Sequence, residues 1–138
     1  MDRITRLRAI CAEYGLLSIY LFGSRAEDGA RRTRGQMVDE AGSDLDVGVF
    51  GRDGGVAAAR LGALQAALED LFAPLRVDLV PLDQVDPLFR FAAMQGERIA
   101  TCDSTAADEK ELEVMRRAAD LLPFQRQLEM EEFGVSTS

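Results

Sequence analysis

The sequence predicts an α/β domain in which a small mixed β-sheet is flanked by helices. Short runs of strand-forming residues alternate with longer segments of helical apolar spacing. A length of 138 residues suits one domain, and a hydrophobic fraction of 47% is enough for a single core. Neither an internal repeat nor an interdomain linker breaks the chain.

Residues 2–14 set Ile4, Leu7, Ile10 and Cys11 at helical spacing, and Gly15 is placed to close that helix. Leu17 to Phe22 reads as a short buried strand. Residues 27–43 are polar and charged with no apolar period, so the expectation there is a loop. Leu45, Val47 and Val49 alternate with Asp44, Asp46 and Gly48, which predicts a second strand with two unlike faces. Gly51 to Gly55 is a turn. Residues 56–72 place Leu61, Leu64, Leu68 and Leu71 on one helical face, and Pro74 ends that helix.

Arg76 to Val80 is a third strand, closed by Pro81. Asp86-Pro87 reads as an N-cap and first-turn proline, opening a helix through Phe89, Phe91 and Met94 that Gly96 stops. Arg98 to Thr101 is a short edge strand. Residues 105–122 predict an amphipathic helix through Leu112, Met115, Ala119 and Leu122, with its leucines in the core. Pro123 is expected to interrupt it before a second helical stretch to about Phe133. Gly134 to Ser138 is expected to fray. Residues 1–104 then form the domain proper, and 105–138 a helical extension of it.

A formal net charge of −8 argues against long contacts with a nucleic-acid backbone, which need a basic surface. It leaves room for a basic partner protein, or for small anions beside a bound metal. Histidine is absent, which excludes His-based triads and His-containing zinc sites. Metal chemistry would therefore use oxygen ligands, favouring magnesium, manganese or calcium. Cys11 and Cys102 have neither a metal-ligand spacing nor a disulfide pattern. No apolar run approaches the roughly 20 residues of a membrane span, and Met1 leads into a charged stretch rather than a secretory signal. The expected compartment is the cytoplasm.

Asp44 and Asp46 are the first candidates for chemistry. Strand periodicity puts both carboxylates on one face, roughly 6–7 Å apart. A divalent cation between them would relieve their repulsion. The plainer reading is a solvated strand face that happens to carry two acids. Asp78, inside Val77-Asp78-Leu79-Val80, would be costly if buried without a partner. It could join the same face, or form a salt bridge with Arg76 or Arg90.

Gly23 and Ser24 follow a strand. A glycine there lets a ligand approach the backbone, and Ser24 could cap a following short helix, a geometry suited to phosphate. A plain turn is the simpler alternative. Arg25 could touch phosphate or neutralise the acidic surface. Arg31, Arg32 and Arg34 read as a solvated cluster rather than an anion site.

In combination, Leu21-Phe22-Gly23-Ser24-Arg25-Ala26, Ser43-Asp44-Leu45-Asp46-Val47-Gly48-Val49 and Val77-Asp78-Leu79-Val80 resemble a minimal nucleotidyltransferase of the DNA polymerase β-like superfamily. The resemblance spans about residues 4 to 100. Its continuation through Pro81-Leu82-Asp83 and Leu88-Phe89-Arg90-Phe91 is similar to MNT-type antitoxins, which are encoded beside HEPN-domain RNase toxins. The resemblance implies that Gly23 and Ser24 hold the phosphates of a nucleoside triphosphate, beside Arg25 as a further candidate for nucleotide binding. It implies that Asp44, Asp46 and Asp78 bind Mg2+, with Mn2+ as the alternative, and that Asp78 helps deprotonate the acceptor. In the antitoxin branch the implied substrate is ATP, and the acceptor is a tyrosine of the HEPN partner. One departure is the segment 25–43, longer than the family's usual spacer.

Two other readings stand beside this one. The chain could neutralise a partner by contact alone, with residues 105–133 as the contact surface. It could instead transfer a nucleotide to a small molecule, although enzymes of that kind carry a larger helical domain for the acceptor. Acceptor, base preference and stoichiometry are written in no motif.

Overall fold

The computed structural model describes residues 1–133, with side chains through residue 123. The chain runs α1 (Arg3–Tyr14), β1 (Leu16–Phe22), α2 (Ala26–Thr33), β2 (Leu45–Gly51), α3 (Ala58–Phe72) and β3 (Val77–Pro81). A 3-10 turn at Leu82–Gln84 leads into α4 (Pro87–Met94), β4 (Glu97–Thr101) and α5 (Ser104–Phe133). Local chemistry accounts for most of the boundaries. Asp2 accepts from the Thr5 N–H at 2.7 Å to start α1, and Gly15 ends it at φ +65°. Asp86 accepts from the Phe89 N–H at 2.9 Å and Pro87 follows, as expected for the start of α4.

The four strands lie in the order β3-β2-β1-β4. β1 is antiparallel to β2 and β4, whereas β2 and β3 are parallel across the α3 crossover. The sheet is therefore mixed and small, as the sequence predicts.

Strand alternation divides the interior into two layers. Ile19, Leu21, Leu45, Val47, Val49 and Val77 join Leu7 and Ile10 of α1 and Leu64, Leu68 and Leu71 of α3 in one cluster. On the other side Tyr20, Phe50 and Leu82 pack with Ala93 and Met94 of α4 and Ala107 and Val114 of α5. Fully burying a Leu, Ile or Phe side chain stabilises by about 1.5–3 kcal/mol, so these two layers are the main source of stability.

Four expectations change. Residues 27–33 of the expected loop 27–43 belong instead to α2. Its inward positions Ala26, Gly29, Ala30 and Thr33 follow helical spacing, but they are small and show no apolar period. A Cβ at Gly29 would stand 2.7 Å from Leu45 Cδ1 and 2.9 Å from Leu21 Cδ1, so the missing side chain lets the helix lie close on the sheet. Glu27 and Asp28 in its first turn and Arg31 and Arg32 in its last suit the helix dipole.

Arg32 is buried rather than solvated, donating to the carbonyls of Ala73 and Gln36, each at 2.9 Å. Pro123 does not interrupt α5, which continues to Phe133. The proline forfeits one N–H, and the turns on either side persist. Finally, α5 docks through Ala107, Val114 and Ala118, small side chains that permit close approach. The stripe expected in the core faces out, with Leu112 49%, Met115 47% and Leu122 39% exposed. The expected frayed end, Gly134 to Ser138, lies outside the described residues.

The chain also unites its two cysteines. α1 packs against β4, and the thiol of Cys102, just beyond β4, lies against that of buried Cys11. Burial first, and then Cys102, pushes the Cys11 thiol up to about 12. Among the described residues no helix is long and apolar enough to cross a membrane.

Candidate functional site

β2 is the centre of the candidate site. Its register pairs Asp46 with Phe22 of β1 on one side and with Asp78 of β3 on the other. Directly opposed residues share a sheet face, so Phe22, Asp46 and Asp78 emerge together on the α4 side, at the end of the sheet where β1 stops and β2 and β3 begin.

Gly23, the next residue after β1, has φ +75°, and a Cβ there would stand 2.2 Å from Asp46 Oδ2. The carboxylate thus rests against bare backbone at the bend, a closeness that only glycine allows. Burial pushes the Asp46 carboxyl above the ordinary range, and the neighbouring carboxylates of Asp78 and then Asp44 push it further.

Asp78 is exposed because β3 is an edge strand, so the cost of burying a lone carboxylate does not arise. It pairs with neither Arg76 nor Arg90 among the described residues. Arg90 is instead committed to the carbonyls of Leu82 and Asp83, each at 2.7 Å.

Asp44 lies one residue before β2 and is exposed. It lines a cleft of about 490 Å³ together with Glu40, Ser43 and Arg76, and acts on Asp46 through charge. The structure therefore sets Asp46 against Gly23, pairs it with Asp78 across the β2–β3 register, and leaves Asp44 at the rim.

The Gly-Ser bend differs from its expected form. The N-cap position of α2 is Arg25, without a side-chain cap bond, so Ser24 does not cap the helix. Its hydroxyl instead meets Ser43 Oγ at 3.0 Å. Arg25, expected at phosphate, is 8% exposed and occupied elsewhere. Its Nε donates to Asp28 Oδ2 at 2.8 Å, and Nη1 to the carbonyls of Ala41 and Ser43 at 2.9 and 3.1 Å. Nη2 donates to the Asp39 carbonyl. Arg25 is the post around which residues 39–43 wrap, and its planar fork suits several acceptors at once. Reading the sequence alone misses this role and that of Ser43, because both depend on contacts across the long segment after α2.

Among the described residues no three His, Cys, Asp or Glu side chains are gathered closely enough to hold a metal ion alone. The donor chemistry still fits a hard divalent cation. Asp46 sits in uncompensated negative charge and the available donors are oxygens. Mg2+ is commonly held by one or two carboxylates, with water and substrate phosphates completing its shell, so a full protein cage is unnecessary.

A family model described as "Polymerase beta, Nucleotidyltransferase" matches residues 5–105. Among solved structures, a chain from a mutant of the toxin–antitoxin complex MntA-HpeT is 17% identical with a TM-score of 0.67, covering 96% of this chain and 98% of that one. A chain from the complex of tri-AMPylated Shewanella oneidensis HEPN toxin with MNT antitoxin is 15% identical with a TM-score of 0.63, covering 96% and 97%. A toxin–antitoxin structure with AMP-PNP gives 17% identity and a TM-score of 0.56, covering 96% and 94%. At such identities the likeness is one of fold. No curated protein matches the sequence.

Proposed function

We propose, from the premise that this chain belongs to the polymerase β nucleotidyltransferase family, that it transfers AMP from ATP to a tyrosine hydroxyl of a HEPN-type RNase and acts as its antitoxin. One observation carries this reading. Asp46 rests against Gly23 on one side and is paired with Asp78 on the other. The choice of acceptor draws support from the solved structures of similar fold, one from a complex with a tri-AMPylated HEPN toxin and another with AMP-PNP.

Asp46 and Asp78, with Asp44 beside them, would hold Mg2+ or Mn2+. A bound divalent cation would supply positive charge against the triphosphate oxygens. The bend at Gly23 and Ser24 offers open backbone and a hydroxyl to the phosphates, while Arg25 stays behind it as a support. The tyrosine oxygen forms a bond to the α-phosphorus as the bond to the β-phosphate bridging oxygen breaks, and pyrophosphate leaves. The hydroxyl proton passes to Asp78, whose exposed position on an edge strand an acceptor can reach from outside. In this reading residues 1–104 are the catalytic domain, α5 extends it, and the protein works in the cytoplasm, where ATP is abundant.

The test mixes the purified chain with its HEPN partner, ATP and Mg2+ and weighs both proteins intact. A gain of AMP units on the partner, lost with Asp44→Asn or Asp46→Asn, is expected. An unchanged partner mass overturns the chemistry, and full activity in either variant overturns the site.

A second reading has its own observation, the outward stripe of Leu112, Met115 and Leu122 on α5. Such a surface could mask a partner by contact alone. Neutralisation by a variant with Asp44, Asp46 and Asp78 all replaced by Asn would favour masking over transfer.

A further inference from the structure

Phe89 is 41% exposed, although the neighbouring apolar residues of α4, Leu88, Phe91 and Met94, are partly or fully buried. Its ring is held all the same. It meets Phe22 edge to face, with centroids 5.9 Å apart and planes at 88°. Phe22 is the last residue of β1, precedes Gly23, and opposes Asp46 in the strand register. A fixed, open aromatic ring therefore stands on the same sheet face as Asp46 and Asp78. The buried side of α4 is filled by Ala93 and Met94, so core packing does not require Phe89.

We propose that Phe89, backed by Phe22, is the platform on which the base of the nucleoside triphosphate stacks. This inference rests on the nucleotidyl-transfer reading above and adds the base site to it. The sheet order decides between the two rings that could lie there. Asp46 on β2 separates β1, with Phe22 and the Gly23 bend, from β3, with Asp78. The phosphate bend and the aromatic platform are on one flank, and the carboxylate that takes the acceptor's proton is on the other. The ring beside the phosphates is the nucleotide's own base, and the acceptor approaches from β3. A phenyl platform has no hydrogen-bonding atom, so it selects for a planar ring and tolerates different bases.

The experiment measures binding of ATP and of inorganic tripolyphosphate, each with Mg2+, by calorimetry to the wild-type chain, Phe89→Ala and Phe89→Trp. Base stacking on an aromatic side chain corresponds to roughly 5- to 150-fold in affinity. Phe89→Ala should weaken ATP by an amount in that range and leave tripolyphosphate unchanged, and Phe89→Trp should recover ATP binding. Equal ATP affinity in the wild type and Phe89→Ala overturns the platform alone. Loss of both ligands in Phe89→Ala, or a raised acceptor KM at unchanged ATP affinity, also overturns it. Failure of the wild type to bind either ligand overturns the nucleotidyl-transfer reading and this inference with it.

Discussion

Replacing Gly23 by alanine separates the geometry of the site from the stability of the fold. The new Cβ would lie 2.2 Å from Asp46 Oδ2, against a floor of about 3.0 Å for such contacts, so the carboxylate must retreat by at least about 0.8 Å. A displacement of about 1 Å at a reacting centre can lower the rate about 100-fold. The backbone cost is separate. At φ +75° an L-residue is disfavoured by about 1–2 kcal/mol. In a domain of this size that lowers Tm by roughly 3–10 °C. Gly15→Ala is the control. Gly15 also has positive φ, +65°, but its Cβ would meet nothing within 4 Å. Both variants should lose similar stability in a thermal melt, whereas only Gly23→Ala should lose AMP transfer, followed by intact mass against time. Equal transfer rates in the two variants would show that the contact between Gly23 and Asp46 does not govern the chemistry.

Other expectations follow from the same geometry. Asp46→Asn removes a charge crowded by Asp78 and Asp44, so in EDTA at pH 8 it should match or exceed wild-type stability by under about 1 kcal/mol while abolishing transfer. A clear destabilisation in urea melts would contradict that picture of repulsion. Arg25→Ala should free residues 39–43 and cost about 3 kcal/mol, since several charge-assisted bonds are lost together. Proteolysis should then cut that segment faster, and resistance equal to wild type would argue against Arg25 as its anchor. Burial, with Cys102, holds Cys11 at about 12, and burial, with Glu111, holds Tyr20 at about 12, from ordinary values of 9.0 and 10.0. The folded chain keeps protons that the unfolded chain releases, so this contribution is full below pH 9 and is lost as pH rises towards 12. Urea midpoints should fall across that window, and fall less steeply in Cys11→Ala; a flat profile would refute the assignment.

Most of the elements could be read from the sequence because their signals are local. Asp2 and Asp86 cap helices with their own side chains, and Gly15 closes α1 with its own backbone. Val47 and Val49 alternate with polar or small neighbours on β2, and Leu64, Leu68 and Leu71 repeat at helical spacing on α3. α2 escaped because its packing face is made of Ala, Gly and Thr, which carry no hydrophobic period. α5 was recognised as a helix but turned the wrong way, since its larger side chains face out and its small ones pack. Hydrophobicity ranks side chains by size, whereas close docking can prefer the smaller ones.

The candidate site divides along the same line. The chain by itself determined the carboxylates, the glycine bend and the lack of any histidine, because residue type and strand period are properties of the sequence. Only the tertiary structure decided that Asp46 sits between Gly23 and Asp78 while Asp44 stays at the rim. It also tied Arg25 to the carbonyls of Ala41 and Ser43, brought Cys102 to Cys11, and stood Phe89 beside Phe22. The physical reason is register. Which residues meet depends on how separate strands and helices align, and that alignment is set by the packing of the whole core rather than by any short stretch of chain.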